Sequence, residues 1–196
     1  MPMKRATVLG LIATAIASAA MAAAHDEALR PFVEQSRKVS GELIRQIGGE
    51  MRKEVEATGP MRAVMVCKYT APEVASSLSR MNGMRVTRVS LKPRNPALGY
   101  PDVWEQTVLL EFDRRAARGE KADAIEYAEL VTEPTGRYLR YMKAIPTGKV
   151  CLACHGPTDQ ISEAVKAQIA NEYPHDRAVG FGEGSIRGAV SIKKPL

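Results

Sequence analysis

The chain has 196 residues, 45% of them hydrophobic, and a formal charge of +6. Its Lys and Arg residues are interspersed with acids rather than run together, which argues against nucleic-acid binding. The length suits a leader and one domain large enough to bury a real core.

Residues 1–24 read as a cleavable export signal. "MPMKR" supplies a basic start through Lys4 and Arg5, "ATVLGLIATAIASAA" an apolar stretch, and "AMAAAH" the small-residue cleavage spacing. Cleavage near Ala24 removes two cations and no acid, lowering +6 to +4. No second apolar run is long enough to cross a membrane. The mature protein is thus expected in the periplasm, where paired thiols oxidise and an odd cysteine stands out. This chain has three.

Residues 25–59 form an N-terminal helix. Leu29, Phe32, Val33, Val39, Leu43, Ile47, Met51 and Val55 recur at three- and four-residue spacing, Gly41, Gly48 and Gly49 weaken it, and "TGP" at 58–60 ends it. At 1.5 Å per residue it would span roughly 45 Å. Either its first half projects and pairs with a second copy, or it lies across the domain.

Residues 60–196 form the second unit. "MRAVMVC" (61–67) is a short apolar segment. Thr70 and Glu73 have capping-box spacing for a helix that carries Pro72 in its first turn and ends at Gly83. "MRVTRVSLK" (84–92) reads as a strand and "PRNPALGYPD" as a turn-rich loop. Asp102 and Glu105 open a second capped helix through Trp104, Val108 and Phe112 to about Arg118. "AIEYAELVT" and "RYLRYMKAI" alternate and are joined by the hairpin signal "EPTG". "DQISEAVKAQIANEY" is helical and "SIRGAVSI" a strand. Locally paired strands interleaved with helices give an α+β domain on an antiparallel sheet.

Between hairpin and helix lies "VCLACHG". A thioredoxin-type pair would sit at the head of a helix as a bare dithiol. A zinc site would need a second ligand pair, and Cys67, His25 and His175 are singletons. A disulfide across this spacing closes a small strained loop. C-x-x-C-H read as haem attachment needs no further partner: two thiols add across the vinyl groups and the adjacent imidazole reaches iron. Cys151 and Cys154 are then thioether anchors, His155 the proximal ligand, and the cofactor a single covalent haem c.

The sixth iron position is open at this level. Met61, Met65, Met81, Met84 and Met142 are available, although apolar methionines are more often core filler. Cys67 reads either as a buried apolar cysteine or as a thiolate favoured by its place just before a capped helix.

The stretches "VCKYTAPEVA", "RVSLKPRNPALGYPDVWE", "YLRYMKAI" with "CLACHG", and "YPHDRAVGFGEGSIRGAVSI" together resemble a family of periplasmic single-haem c-type proteins with a PAS-like fold. One member is cyanobacterial, and the domain also occurs as a sensory module of bacterial receptors. The resemblance implies a five-stranded antiparallel sheet with flanking helices. It also implies a His/Cys axial pair, here His155 and Cys67. Haem propionates would find partners among Arg88, Arg94, Asn95 and Tyr141, with Tyr138 on the same strand as the last.

No Ser/His/Asp set or metal-spaced carboxylates suggest an enzyme. Thiolate opposite imidazole stabilises ferric iron and fills the sixth position. The expected function is low-potential electron transfer with a separate, unidentified redox partner. The alternative is a haem-based redox or gas sensor working through another protein, since the chain has no transmitter domain.

Overall fold

The structure is a computed structural model that describes the backbone from Val8 to Leu196 and the side chains from Glu27 onward. Residues 1–7 of the expected leader lie outside the described residues, as do the side chains of 8–26, His25 included.

Helix α1 runs Val8–Thr58, unbroken through Pro31 and the three glycines. Gly59 and Pro60 start α2 (Pro60–Met65), which leads through the segment 66–70 into α3 (Ala71–Asn82). Strand β1 (Arg85–Val89) is followed by the short α4 (Pro96–Gly99) and α5 (Val103–Ala117). Strands β2 (Glu126–Glu133) and β3 (Gly136–Pro146) form the hairpin, α6 (Leu152–His155) and α7 (Glu163–Glu172) follow, and β4 (Ile186–Pro195) closes the chain. The sheet order is β1-β4-β3-β2, every pair antiparallel. Among the described residues it has four strands, one fewer than the resemblance implied, and the apolar stretch 61–67 is helical.

Both sheet faces are covered. On one, Val39, Leu43 and Ile47 of α1 and Leu78 of α3 bury Val86, Tyr141, Val190 and Ile192. Four-residue spacing puts the three α1 side chains on one stripe, so this stretch lies across the domain. On the other face, Val108, Leu109 and Phe112 of α5 pack on Val89, Met142, Ala144 and Ala189. The Asp102/Glu105 capping box forms as expected, both bonds at 2.8 Å. Glu105 is buried and also accepts from Ser191 Oγ (2.6 Å), fixing α5 to β4.

Gly188 sets how closely β4 and β1 approach. A Cβ there would lie 2.3 Å from the Val89 carbonyl oxygen, at φ +156°. Gly188→Ala is expected to cost roughly 2–4 kcal/mol by overpacking and backbone strain. For a domain of this size that lowers Tm by roughly 5–15 °C. A far-UV melt within 2 °C of wild type would contradict this.

Glu126 ties α1 to the sheet, accepting from Arg37 Nε (2.7 Å) and the Tyr141 hydroxyl (2.8 Å). Burial pushes its carboxyl up, but the Arg37 and Tyr141 hydrogen bonds and the charges of Arg37 and Lys143 outweigh it, leaving the net below 4.5. A depressed folded value means stabilisation present above the unfolded value and lost as pH falls through the folded one. Glu126→Gln is therefore expected to cost about 1–2 kcal/mol at pH 7. The deficit should shrink below pH 4.5. Urea midpoints at both pH values check this, and a deficit independent of pH would oppose it.

Candidate functional site

Cys67 sits in a single π-turn, Val66–Thr70, inserted between α2 and α3. Pro72 accounts for the turn. It has no N–H for the Lys68 carbonyl, and its ring would crowd that carbonyl in a regular helix. The Ala71 N–H donates instead to Val66 O, five residues back. Thr70 is thereby helical itself (φ −65°, ψ −41°) and makes no side-chain cap. This corrects the sequence reading: the Thr70/Glu73 capping box is absent, and no helix N-terminus acts on Cys67. An ion pair from Lys68 to Glu172 fastens the turn to α7.

Across from it, Lys149–Cys151 form a 3₁₀ turn that runs into the one-turn helix α6. All three cysteines are free and partly exposed. Gly156 ends α6, where a Cβ would stand 2.6 Å from Leu152 O. The segment 176–181 runs alongside: Gly180 N–H donates to Gly156 O (2.8 Å) and Phe181 N–H to His155 O (2.9 Å). Buried Arg94 clasps the two pieces, donating to Cys154 O (2.5 Å), Ala178 O (3.3 Å) and both Asp176 oxygens (3.2 and 3.3 Å).

The imidazole of His155 is set by this frame. A carbonyl only accepts, so the 2.7 Å contact with Ala178 O places the proton on Nδ1. Nε2 is then the acceptor, and Arg187 Nε lies 3.4 Å from it. Phe181 packs edge-on against the ring. Burial, with Arg187 and Arg94 nearby, holds the imidazole's pKa well below its usual 6.5. A neutral histidine with Nδ1 bonded to a carbonyl and Nε2 unprotonated has the tautomer of a metal-ligating histidine, here with Arg187 Nε standing where a metal would bind.

The third cysteine belongs to the same cluster. A charge on Cys67 would push up the Cys154 thiol and the Tyr173 hydroxyl and support the Arg187 cation. Cys154 Sγ lies 3.9 Å from Pro60 O, at the start of α2. Burial is the larger influence on the Cys154 thiol and raises it. A small apolar core of Val64, Ile161, Val165, Ile169 and Tyr173 backs the cluster.

The charges fit a dianionic cofactor. Burial and the neighbouring Arg94 and Arg88 lower Arg187 from 12.5 to about 10, and neither Arg187 nor Arg88 has an ion pair among the described residues. These three guanidiniums share a single carboxylate, Asp176, and such an excess of positive charge is costly unless a further anion is supplied. Two free thiols, an unprotonated imidazole nitrogen, a third thiol and two arginines without ion pairs match the needs of a c-type haem and its propionates.

Of the residues singled out in the sequence, Cys67, Cys151, Cys154, His155, Arg88 and Arg94 come together. Arg94 is spent on protein groups and acts as a positioning residue. Asn95 only precedes α4, its carbonyl accepting from Leu98 and Gly99. Tyr141 is not brought to the site: its hydroxyl serves Glu126 in the core under α1. Tyr138 bonds Thr135 at the hairpin. Met84 and Met142 are buried core, and Met61 and Met81 are exposed. Sequence reasoning missed Arg187, Ala178 and Phe181. The stretch holding them was noticed, but one arginine on an alternating strand carries no signal of its own. A cavity of about 820 Å³ lies elsewhere, an open groove between α1 and the β2–β3 hairpin lined by Leu29, Val33 and Leu130.

The model of the Tll0287-like family matches residues 9–195. The crystal structure of the cyanobacterial heme-protein Tll0287 superposes with a TM-score of 0.61 at 26% identity, covering 87% of this chain and 96% of that one. No curated protein matches.

Proposed function

We infer that this chain, which belongs to the Tll0287-like family, is an exported haem protein with one haem c bound through Cys151 and Cys154. His155 is the proximal ligand, Cys67 the distal one, and the role is low-potential electron transfer rather than catalysis. A solved relative that is a heme-protein supports the cofactor. The observation that carries the reading is His155, its Nδ1 committed to Ala178 O and its Nε2 left as the acceptor, on the same short turn as the free thiols of Cys151 and Cys154. Haem, when bound, supplies a one-electron iron couple. The chain's part would be to hold it: Arg88, and Arg187 once it leaves His155 Nε2, would meet the propionates, while Arg94 fixes Cys154 against Ala178 and Phe181 shields the imidazole. A Cys67 thiolate stabilises ferric iron and lowers the potential. We place the protein in the periplasm, with a separate redox partner, a PAS-like topology, and α1 as the surface for a homodimer.

The π-turn favours a second reading. Such turns recur at functional positions, and one that holds the distal ligand is a natural point of release in a redox or gas sensor. The test is the absorption spectrum of the dithionite-reduced holoprotein before and after CO. An unchanged Soret band supports the carrier, and a clear shift puts the sensor first.

A further inference from the structure

We propose that the loop from Lys92 to Val103, with Arg177 beside it, is a docking face for an acidic redox protein. The proposal rests on the haem reading above. Leu98, Tyr100 and Val103 are 59%, 63% and 82% exposed. Single exposed apolar side chains are ordinary, but three within six residues mark an interaction surface. The loop is also anchored. Ser90 N–H donates to Gly99 O and Tyr100 N–H to Pro96 O, both at 3.1 Å, and Arg177 N–H reaches Pro93 O at 3.1 Å.

The face adjoins the site. Arg187, whose Nε is 3.4 Å from His155 Nε2, also donates to Ser90 Oγ (3.2 Å) and Lys92 O (3.4 Å). One side chain thus separates the loop from the iron-ligating nitrogen. Lys92 Nζ stands 5.2 Å from the Phe181 ring centroid, and that ring packs on His155. Lys92 and Arg177 are exposed and have no ion pair among the described residues. Of the nearby carboxylates, Asp176 and Asp102 are paired with Arg94 and Arg140, and Asp113 is a partly buried one close enough to feel the Lys92 charge. An apolar centre with a cationic rim suits an acidic surface, which it steers and orients. Two copies of this face would repel each other. With haem bound, one electron would pass from the partner's reduced centre to the iron, the partner being oxidised by one, and no bond would be made or broken.

The test is stopped-flow reduction of ferric holoprotein by a reduced plant-type ferredoxin, a strongly acidic probe of very low potential. Wild type, Lys92→Glu/Arg177→Glu and Leu98→Ser/Tyr100→Ser are compared across salt concentrations, with dithionite as the small reductant. The expected result is a wild-type rate that falls with salt and a charge-reversed rate lower by about tenfold or more at low salt. The apolar double variant should be slower at every salt concentration. Equal ferredoxin rates in all three proteins, with normal dithionite reduction, would overturn the docking face alone. Mapping of the patch instead to self-association or to anionic vesicles would also overturn it. Failure of dithionite to reduce the wild type would remove the haem reading and this proposal together.

Discussion

Replacing Cys151 and Cys154 together by serine is expected to leave the exported protein without covalent haem, so that the haem-stained band on a denaturing gel disappears. Both thiols are free and lie on one 3₁₀/α6 turn, with His155 directly after them. Serine keeps the size and cannot form the thioether. Single variants should retain a band through the remaining thiol. The loss should reach stability as well, because whatever binds the folded state alone stabilises it. Without haem, Arg187 and Arg88 keep the cost of unpaired charge. A double variant that still stained would mean that the cofactor is attached elsewhere.

Cys67→Ala is the second large effect. The ferric protein should pass from low-spin to high-spin, with a potential higher by on the order of 0.1 V, since axial ligands set potentials over a wide range. Pro72→Ala supplies a companion that leaves the sulfur in place. It restores an N–H for the Lys68 carbonyl, removes the cause of the π-turn, and rotates Cys67 relative to α6. It should weaken the low-spin signal without abolishing haem attachment. EPR g-values identical to wild type in Cys67→Ala would remove Cys67 from the iron.

Local grammar made much of this readable from the sequence. The Asp102/Glu105 box and the "EPTG" hairpin depend on near neighbours, and both formed; "SIRGAVSI" became a strand, though as a central one it is buried on both faces instead of alternating. Thr70/Glu73 failed because Pro72 lies in the same span. Pro is at home in a first turn and equally able to widen a continuing helix, and only the tertiary contacts of the segment 66–70, chiefly with α1, choose between them. The motif "CLACHG" was legible because haem attachment is itself local. Its frame was not: Ala178 and Arg187 meet His155, and Arg94 meets Ala178, across separations that no spacing rule reaches. Tyr141 illustrates the opposite error, a strand residue near the motif in sequence whose side chain faces α1.

The most direct measurement is the intact mass of the protein exported from a host with c-type maturation, taken under denaturing conditions. The predicted result is the chain cleaved near Ala24 plus the mass of one haem. The bare chain, with haem released on denaturation or none at all, would contradict the claim that Cys151 and Cys154 carry the cofactor.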